Sequence, residues 1–379
     1  MAGLYIHIPF CKQACHYCDF HFSTHTELVS SLCQAIAGEL ALQKKYLKGE
    51  DLTTLYLGGG TPSMIPASEL ENIFSCIYST FKVQPSAEIT LEANPDDLTI
   101  QKLNELKNLG VNRLSIGIQS FDDATLKFLN RAHNSEQALE SVHLARAAGF
   151  DHISIDLIYS IPGQHEKAWQ QHIQQAIQLS PTHLSAYALT IEEKTVFGSQ
   201  QKKGKFKSVP EETSAHEFEI LMDAMDAAGY EHYEISNFCK PGHYSRHNTS
   251  YWQQVHYLGV GPSAHSFDGV SRQFNVSNNY RYIKSIQQGE VPFEREVLTR
   301  SNQINEFIFT SLRTQWGCDL KKLEETYGYN LQNESRAYLS YLLEHQFASL
   351  EASRLKLTRQ GKLLADKISA ELLNGDESK

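Results

Sequence analysis

Short apolar runs alternate with four-residue periodicities through the first half of the chain. Tyr5-Ile6-His7-Ile8 lies in a strand expected over 4–10. Leu28, Leu32, Ile36 and Leu40 then recur every four residues, as on one face of an amphipathic helix. Thr54-Leu55-Tyr56-Leu57 is a second strand, stopped by Gly58-Gly59-Gly60, and a helix is expected over about 67–81. A third strand over 87–93 stops at Asn94-Pro95 and precedes a helix over 99–109. The fourth covers 112–119; helical stretches follow, break near Asn134-Ser135 and end at Gly149. The fifth, 152–159, stops at Pro162-Gly163 before a helix over 166–179, and the sixth covers 183–189.

Six strands alternating with helices predict an α/β fold of parallel βαβ units with right-handed crossovers. Six units are too few for the common eight-fold barrel, so an open doubly wound sheet and a partial barrel both fit. Both architectures bind ligands at the C-terminal ends of their strands, where the unusual residues fall.

The pattern changes after residue 190. Lys202-Lys203-Gly204-Lys205 reads as a solvated loop, and a helix is expected over 211–228. Residues 230–275 are rich in His, Tyr, Asn and Gly and keep no clean period. From 295 the chain turns helical and polar, ending in Leu355-Lys356-Leu357-Thr358 and a Gly-led helix, which suggests a small helical or winged-helix-like domain. The expected division is 1–190, a linking region 191–294, and 295–379. No internal repeat appears beyond the βα alternation.

Composition narrows the class. With 379 residues, 41% hydrophobic and 21% charged, the chain can bury a sizeable core. A formal charge of −10 argues against nucleic-acid binding, which needs a basic footprint, and a winged-helix shape alone does not reverse that. No apolar run is long enough to span a bilayer, so no transmembrane segment is expected. The first strand begins by Leu4, which leaves no room for a signal peptide, and the chain reads as cytoplasmic.

Seven cysteines are unevenly spread. Cys11, Cys15 and Cys18 lie within eight residues just after the first strand, whereas Cys33, Cys76, Cys239 and Cys318 are scattered and read as small buried hydrophobes. That distribution is not a disulfide framework. Three thiolates on one loop can hold a metal centre. Zinc would need a fourth ligand from His7, His16 or His21. An iron–sulfur cluster with three cysteines would leave one iron open to an exogenous ligand. Ordinary free thiols are the third reading.

Further residues stand out at strand ends. The Gly58-Gly59-Gly60-Thr61-Pro62 run allows close backbone approach to a ligand but lacks the Lys-Ser/Thr of a phosphate loop. Glu92 is a carboxylate closing a strand, and Asp156 sits in an otherwise apolar one, where a buried carboxylate needs a partner. Gly259-Val260-Gly261-Pro262-Ser263-Ala264 matches a dinucleotide pattern but shows neither a convincing preceding strand nor a following helix, so a nicotinamide or flavin site is not expected.

Cys11-x3-Cys15-x2-Cys18, with Tyr17 before the last cysteine, resembles the radical S-adenosylmethionine superfamily. The resemblance implies a partial (β/α)6 barrel and a 4Fe-4S cluster on the three cysteines, with S-adenosylmethionine chelating the open iron. It assigns S-adenosylmethionine contacts to Gly59, Gly60 and Thr61, to Glu92, Gln119, Arg131 and Asp156, and a backbone contact to Ala188. Tyr5 and Tyr17 match aromatic positions beside the cluster. The opening Tyr5-Ile6-His7-Ile8-Pro9-Phe10-Cys11 resembles the oxygen-independent coproporphyrinogen III oxidase group, which holds decarboxylating dehydrogenases and HemW-type haem chaperones. The dehydrogenases carry a fourth cysteine where this chain has Phe20, and a long extension before the motif where it has ten residues. Both departures favour the chaperone branch.

That branch also carries a His-Asn-x-x-Tyr-Trp motif, present as His247-Asn248-Thr249-Ser250-Tyr251-Trp252. The resemblance implies His247 as haem ligand, with His243, His256 and His265 close by as alternative ligands. The expected function is delivery of haem to acceptor apo-proteins, with an electron donor needed if S-adenosylmethionine is cleaved. No catalytic residue is assigned, and whether the chain is an enzyme stays open. The rival readings are oxidative decarboxylation of coproporphyrinogen III and a zinc-stabilised interaction protein.

Overall fold

The computed structural model describes residues 1–375. Six parallel strands form in the expected places: β1 (Ala2–Ile8), β2 (Leu52–Gly59), β3 (Val83–Ala93), β4 (Arg113–Gln119), β5 (His152–Tyr159) and β6 (His183–Ala188). Between them run α1 (Val29–Leu42), α2 (Ala67–Thr80), α3 (Ile100–Asn108), α4 (Asp123–Phe128), α5 (Ser135–Ala147) and α6 (Glu166–Leu179). The helix starts follow from local chemistry. Thr99 caps α3 by accepting from Lys102 N, Asp122 caps α4 from Thr125 N, and Asn134 with Gln137 closes a capping box on α5. Each cap satisfies amide groups the helix leaves orphaned and stabilises it by about 1 kcal/mol.

The strands neighbour one another in chain order, β1 to β6. A doubly wound sheet would reverse that order at a switch point. Without a reversal, right-handed crossovers put all the connecting helices on one side, and the sheet curls as a partial barrel. β1 and β6 do not meet: another strand flanks each of them. Alternation along the strands separates two faces. Leu4, Ile6, Leu55, Leu57, Ile116 and Ile155 are buried beneath helix residues such as Leu32, Ile36, Ile73 and Trp169. Tyr5, Tyr56, Glu92, Ser115 and Asp156 occupy the alternate positions and line the concave interior.

Residues 191–294 do more than link. After α7 (Val196–Lys202) and α8 (Glu211–Ala227), strands β7 (Glu231–Glu234) and β8 (Asn237–Cys239) extend the sheet beyond β6, with β8 antiparallel to it. Then come α9 (Arg246–Trp252), β9 (Tyr257–Val260), β10 (His265–Phe267), β11 (Ser271–Asn275), α10 (Asn279–Gln287) and β12 (Phe293–Val297). β9 lies parallel to β1, so the chain returns to the opposite edge and completes twelve strands. Strands of three to five residues are too short to show a period, which is why 230–275 looked irregular. β9 also supplies the strand that the Gly259–Gly261 pattern seemed to lack, but β10 follows instead of a helix.

The C-terminal part gathers its own core from Ile304, Ile308, Leu312, Leu323, Leu342 and Leu355. Three short antiparallel strands, Cys318–Asp319, Arg354–Leu357 and Ala348–Glu351, sit beside helices in a small winged-helix-like unit. It docks through backbone bonds from Ile235 N to Arg313 O (3.1 Å) and Gln315 N to Tyr233 O (2.9 Å).

Candidate functional site

The cysteine loop leaves the C-terminal end of β1 and is tied down at several points. Cys11 N donates to Ser23 O (3.0 Å), and Ser23 N donates back to Pro9 O (2.7 Å). His16 N reaches Leu129 O (3.1 Å), Phe197 N reaches His16 O (3.0 Å), and Asn130 Nδ2 holds Ala14 O (2.6 Å). Cys11, Cys15 and Cys18 are half-buried. Burial pushes the Cys11 thiol up, and that of Cys18 to about 11, so the bare loop favours protonated sulfur.

Arg131 is the counter-charge built into this loop. Its Nη1 lies 3.3 Å from Cys15 Sγ and 3.4 Å from Tyr17 OH, while Nη2 donates to Asn94 Oδ1 (2.7 Å) and Gly117 O (2.8 Å). Arg131 Nε is buried without a partner. A guanidinium beside three thiols, with an unused donor, fits an anionic sulfur-ligated group. Among the described residues, the thiols included, no three His, Cys, Asp or Glu side chains converge closely enough to hold a single metal ion. Of the histidines that could supply a fourth zinc ligand, His7 has both ring nitrogens engaged, by Tyr5 OH (3.0 Å) and His21 O (3.0 Å), while His16 is bonded through Nδ1 to Phe128 O (3.1 Å) and His21 through Nε2 to Asn279 Oδ1 (2.7 Å). Cluster ligands sit on separate irons and need no single meeting point, so the donor set fits a cluster better than zinc.

The glycine run passes directly beneath the loop. Gly60 N donates to Ile8 O (2.8 Å) and Thr61 N to Phe10 O (2.6 Å). Gly59 has a φ of 108°, a conformation that favours glycine. Its amide donates to Glu92 Oε2 (3.1 Å), and Tyr56 OH donates to Oε1 (2.7 Å). Burial, reinforced by Asp156, raises the Glu92 carboxyl to about 7. Asp156 rises to about 6 through burial, opposed by Ser185, Arg113 and Ser115. Gln119 ends β4 with a φ of 66°, left-handed for a non-glycine, and its Nε2 would meet a Cβ on Gly117 at 3.0 Å. Gln119 therefore turns back over the same opening as Arg131. Ala188 is exposed at the end of β6. Asn94 joins this site without having been singled out: it links Arg131 to Thr61 Oγ1 (3.3 Å). Asn130 is similar, and its φ of 58° is the kind of backbone signal an Asn beside a motif residue can carry.

His247 lies elsewhere, on the inner side of the sheet. It is 1% exposed, with Nδ1 2.8 Å from Thr54 Oγ1 and Nε2 2.8 Å from Tyr251 OH. Its ring stacks on Tyr56 at 5.0 Å. Burial lowers its pKa to about 3, so it stays neutral, with both nitrogens occupied. The motif's Tyr251 and Trp252 instead face a cavity of about 430 Å³ shared with Tyr5, Phe20, His265 and Phe267. Phe20, at the position that separates the two branches, is 69% exposed at its rim.

The Radical SAM superfamily model matches residues 5–176 and the HemN C-terminal domain model residues 298–364. The chain is 38% identical to the heme chaperone HemW of Bacillus subtilis (strain 168), covering 97% of this chain and 98% of that protein. It is 32% identical to the heme chaperone HemW of Lactococcus lactis subsp. lactis (strain IL1403), covering 98% and 97%. Among solved structures, coproporphyrinogen III oxidase (HemN) from Escherichia coli superposes with a TM-score of 0.84 over 98% of this chain and 90% of that one. At 22% identity that likeness speaks to the fold. Identity at this level over nearly the whole length places the chain among its relatives: it belongs to the HemW family of the radical S-adenosylmethionine superfamily.

Proposed function

We propose that the chain is a haem chaperone built on a radical S-adenosylmethionine scaffold, acting in the cytoplasm and passing haem to acceptor apo-proteins. Cys11, Cys15 and Cys18 hold a 4Fe-4S cluster, and Arg131 offsets the charge of its thiolates. Gly59, Gly60 and Thr61 line the bound methionine end of S-adenosylmethionine, with Glu92, Gln119, Asp156 and the Ala188 backbone around the rest. When bound and reduced, the cluster would supply one-electron chemistry toward the sulfonium of S-adenosylmethionine, and an electron-donor partner would be needed if cleavage occurs. The observation that carries the chaperone reading is Phe20. An exposed aromatic, and no fourth cysteine, stands at the rim of an aromatic cavity beside the cysteine loop.

The test is anaerobic incubation of the reconstituted full chain with coproporphyrinogen III, S-adenosylmethionine and reductant. No decarboxylated product is expected, and stoichiometric or catalytic decarboxylation overturns the reading.

Glu92 adds a pH dependence. Its carboxyl is raised from 4.5 to about 7 in the folded chain, so ionising it becomes harder on folding, and a bound cation restores the charged form. S-adenosylmethionine affinity is expected to be about tenfold weaker at pH 6 than at pH 8, as the ionised fraction falls. Calorimetric titration across that range checks it. The Glu92→Gln variant should lose most of the dependence, and an unchanged slope would remove Glu92 from the site.

A further inference from the structure

The four histidines around the His-Asn-x-x-Tyr-Trp segment have different surroundings. His247 is buried and has no ring nitrogen to spare. His243 Nδ1 is 3.4 Å from His152 Nδ1, away from the cavity. His256 Nδ1 binds Glu50 Oε1 at 2.8 Å. Only His265 of the four lines the cavity, on β10 with Phe267 two residues on and facing the same way. Its ring nitrogens have no hydrogen-bond partner among the described residues. Partial burial and Arg272 lower its pKa, which leaves the neutral imidazole with a lone pair to offer.

Of the other two histidines on the wall, His7 has both ring nitrogens engaged and His21 has one, so among the described residues His265 is the wall histidine with neither nitrogen hydrogen-bonded. His7 bonds Tyr5 OH (3.0 Å) and His21 O (3.0 Å), and His21 Nε2 bonds Asn279 Oδ1 (2.7 Å). The cavity is within the ordinary small-molecule range of about 300–1,000 Å³. It is open at Phe20, so a flat macrocycle would enter edge-first and stay partly in solvent, as a cargo to be released should.

Resting on the haem-chaperone reading, the geometry points to His265 as the ligand of the haem iron, with Phe20 and Trp252 as the apolar walls. His247 is then a positioning residue that fixes Tyr251 through its 2.8 Å bond. This reassigns the motif: its aromatic pair shapes the haem site, and its histidine braces it from behind.

Ferric haem is titrated into the reconstituted full chain and its variants, with difference spectra recorded in the Soret region. His265→Ala is expected to shift the Soret band and weaken binding about tenfold or more, and added imidazole should restore the wild-type band. Phe20→Ala, at an exposed position that does not disturb folding, should weaken binding about tenfold with the band in place. His247→Ala should lower affinity with the band position retained and no rescue by imidazole. An unchanged spectrum in His265→Ala, or imidazole rescue of His247→Ala, overturns the assignment. Wild-type chain that binds no haem overturns the chaperone reading itself, which separates the two failures.

Discussion

Replacing Cys15 by alanine is expected to cut the iron and labile sulfide of the anaerobically reconstituted protein by about tenfold or more and to abolish S-adenosylmethionine binding. In the proposed site three cysteines are the whole protein ligand set, so losing one would leave two irons without protein ligands. Cys15 is also the sulfur that Arg131 approaches at 3.3 Å, and its removal strands part of a buried cation. The fold should survive. The loop is held by Asn130 on Ala14 O (2.6 Å), His16 on Leu129 O and Phe197 on His16 O, none of which involves a thiol. Metal and sulfide analysis checks the loss, with far-ultraviolet circular dichroism as the folding control. Cys76→Ala should keep the full iron content, since its Sγ contacts Ala37 O (3.2 Å) and Thr80 Oγ1 (3.8 Å), both on helices outside the cysteine loop.

Gly60→Ala is the second large effect. A Cβ there would lie 2.5 Å from Phe10 O, 2.7 Å from Phe10 N and 2.8 Å from Ile8 O. All three are backbone atoms and cannot swing aside, so the glycine run and the cysteine loop must separate. Overpacking of this kind costs about 1–3 kcal/mol in stability. The cost falls where the loop meets the expected methionine contact, so S-adenosylmethionine affinity should drop about tenfold or more while the melting temperature falls. Gly163→Ala is the control. Nothing lies within 4 Å of its added Cβ, and only the left-handed backbone at φ 85° is strained, by about 1–2 kcal/mol. Its cofactor affinity should not change, and an equal loss in both variants would make the effect one of stability alone.

The βα half of the chain was legible because apolar runs alternate with helical periods and three of the six strands end at a stop that physics enforces: Gly58–Gly60, Asn94-Pro95, Pro162-Gly163. The choice between open sheet and barrel was not legible, since it depends on strand order and not on any local period. The region beyond residue 230 was misjudged for a different reason. Its strands are short, and β9 pairs with β1 across more than 250 residues of chain. The spacing of Cys11, Cys15 and Cys18 marked a candidate metal centre, but the choice of a cluster over zinc or free thiols came from the resemblance. Arg131 was named only by resemblance, yet its role as counter-charge rests on contacts from Tyr17, Asn94 and Gly117 that no local pattern encodes. His247 shows the limit most clearly. Its motif gave the histidine and the aromatics one shared purpose, whereas the short helix α9 turns Tyr251 and Trp252 to the cavity and buries the histidine against Thr54.

The central claim is that haem is cargo, bound and handed on. Its most direct test is stopped-flow mixing of the haem-loaded, cluster-reconstituted chain with the apo form of a b-type haem protein, with and without S-adenosylmethionine. The account predicts transfer whose rate rises with acceptor concentration, because the acceptor engages the loaded chaperone while haem is still partly in solvent. A rate independent of acceptor concentration and equal to spontaneous haem loss would contradict it.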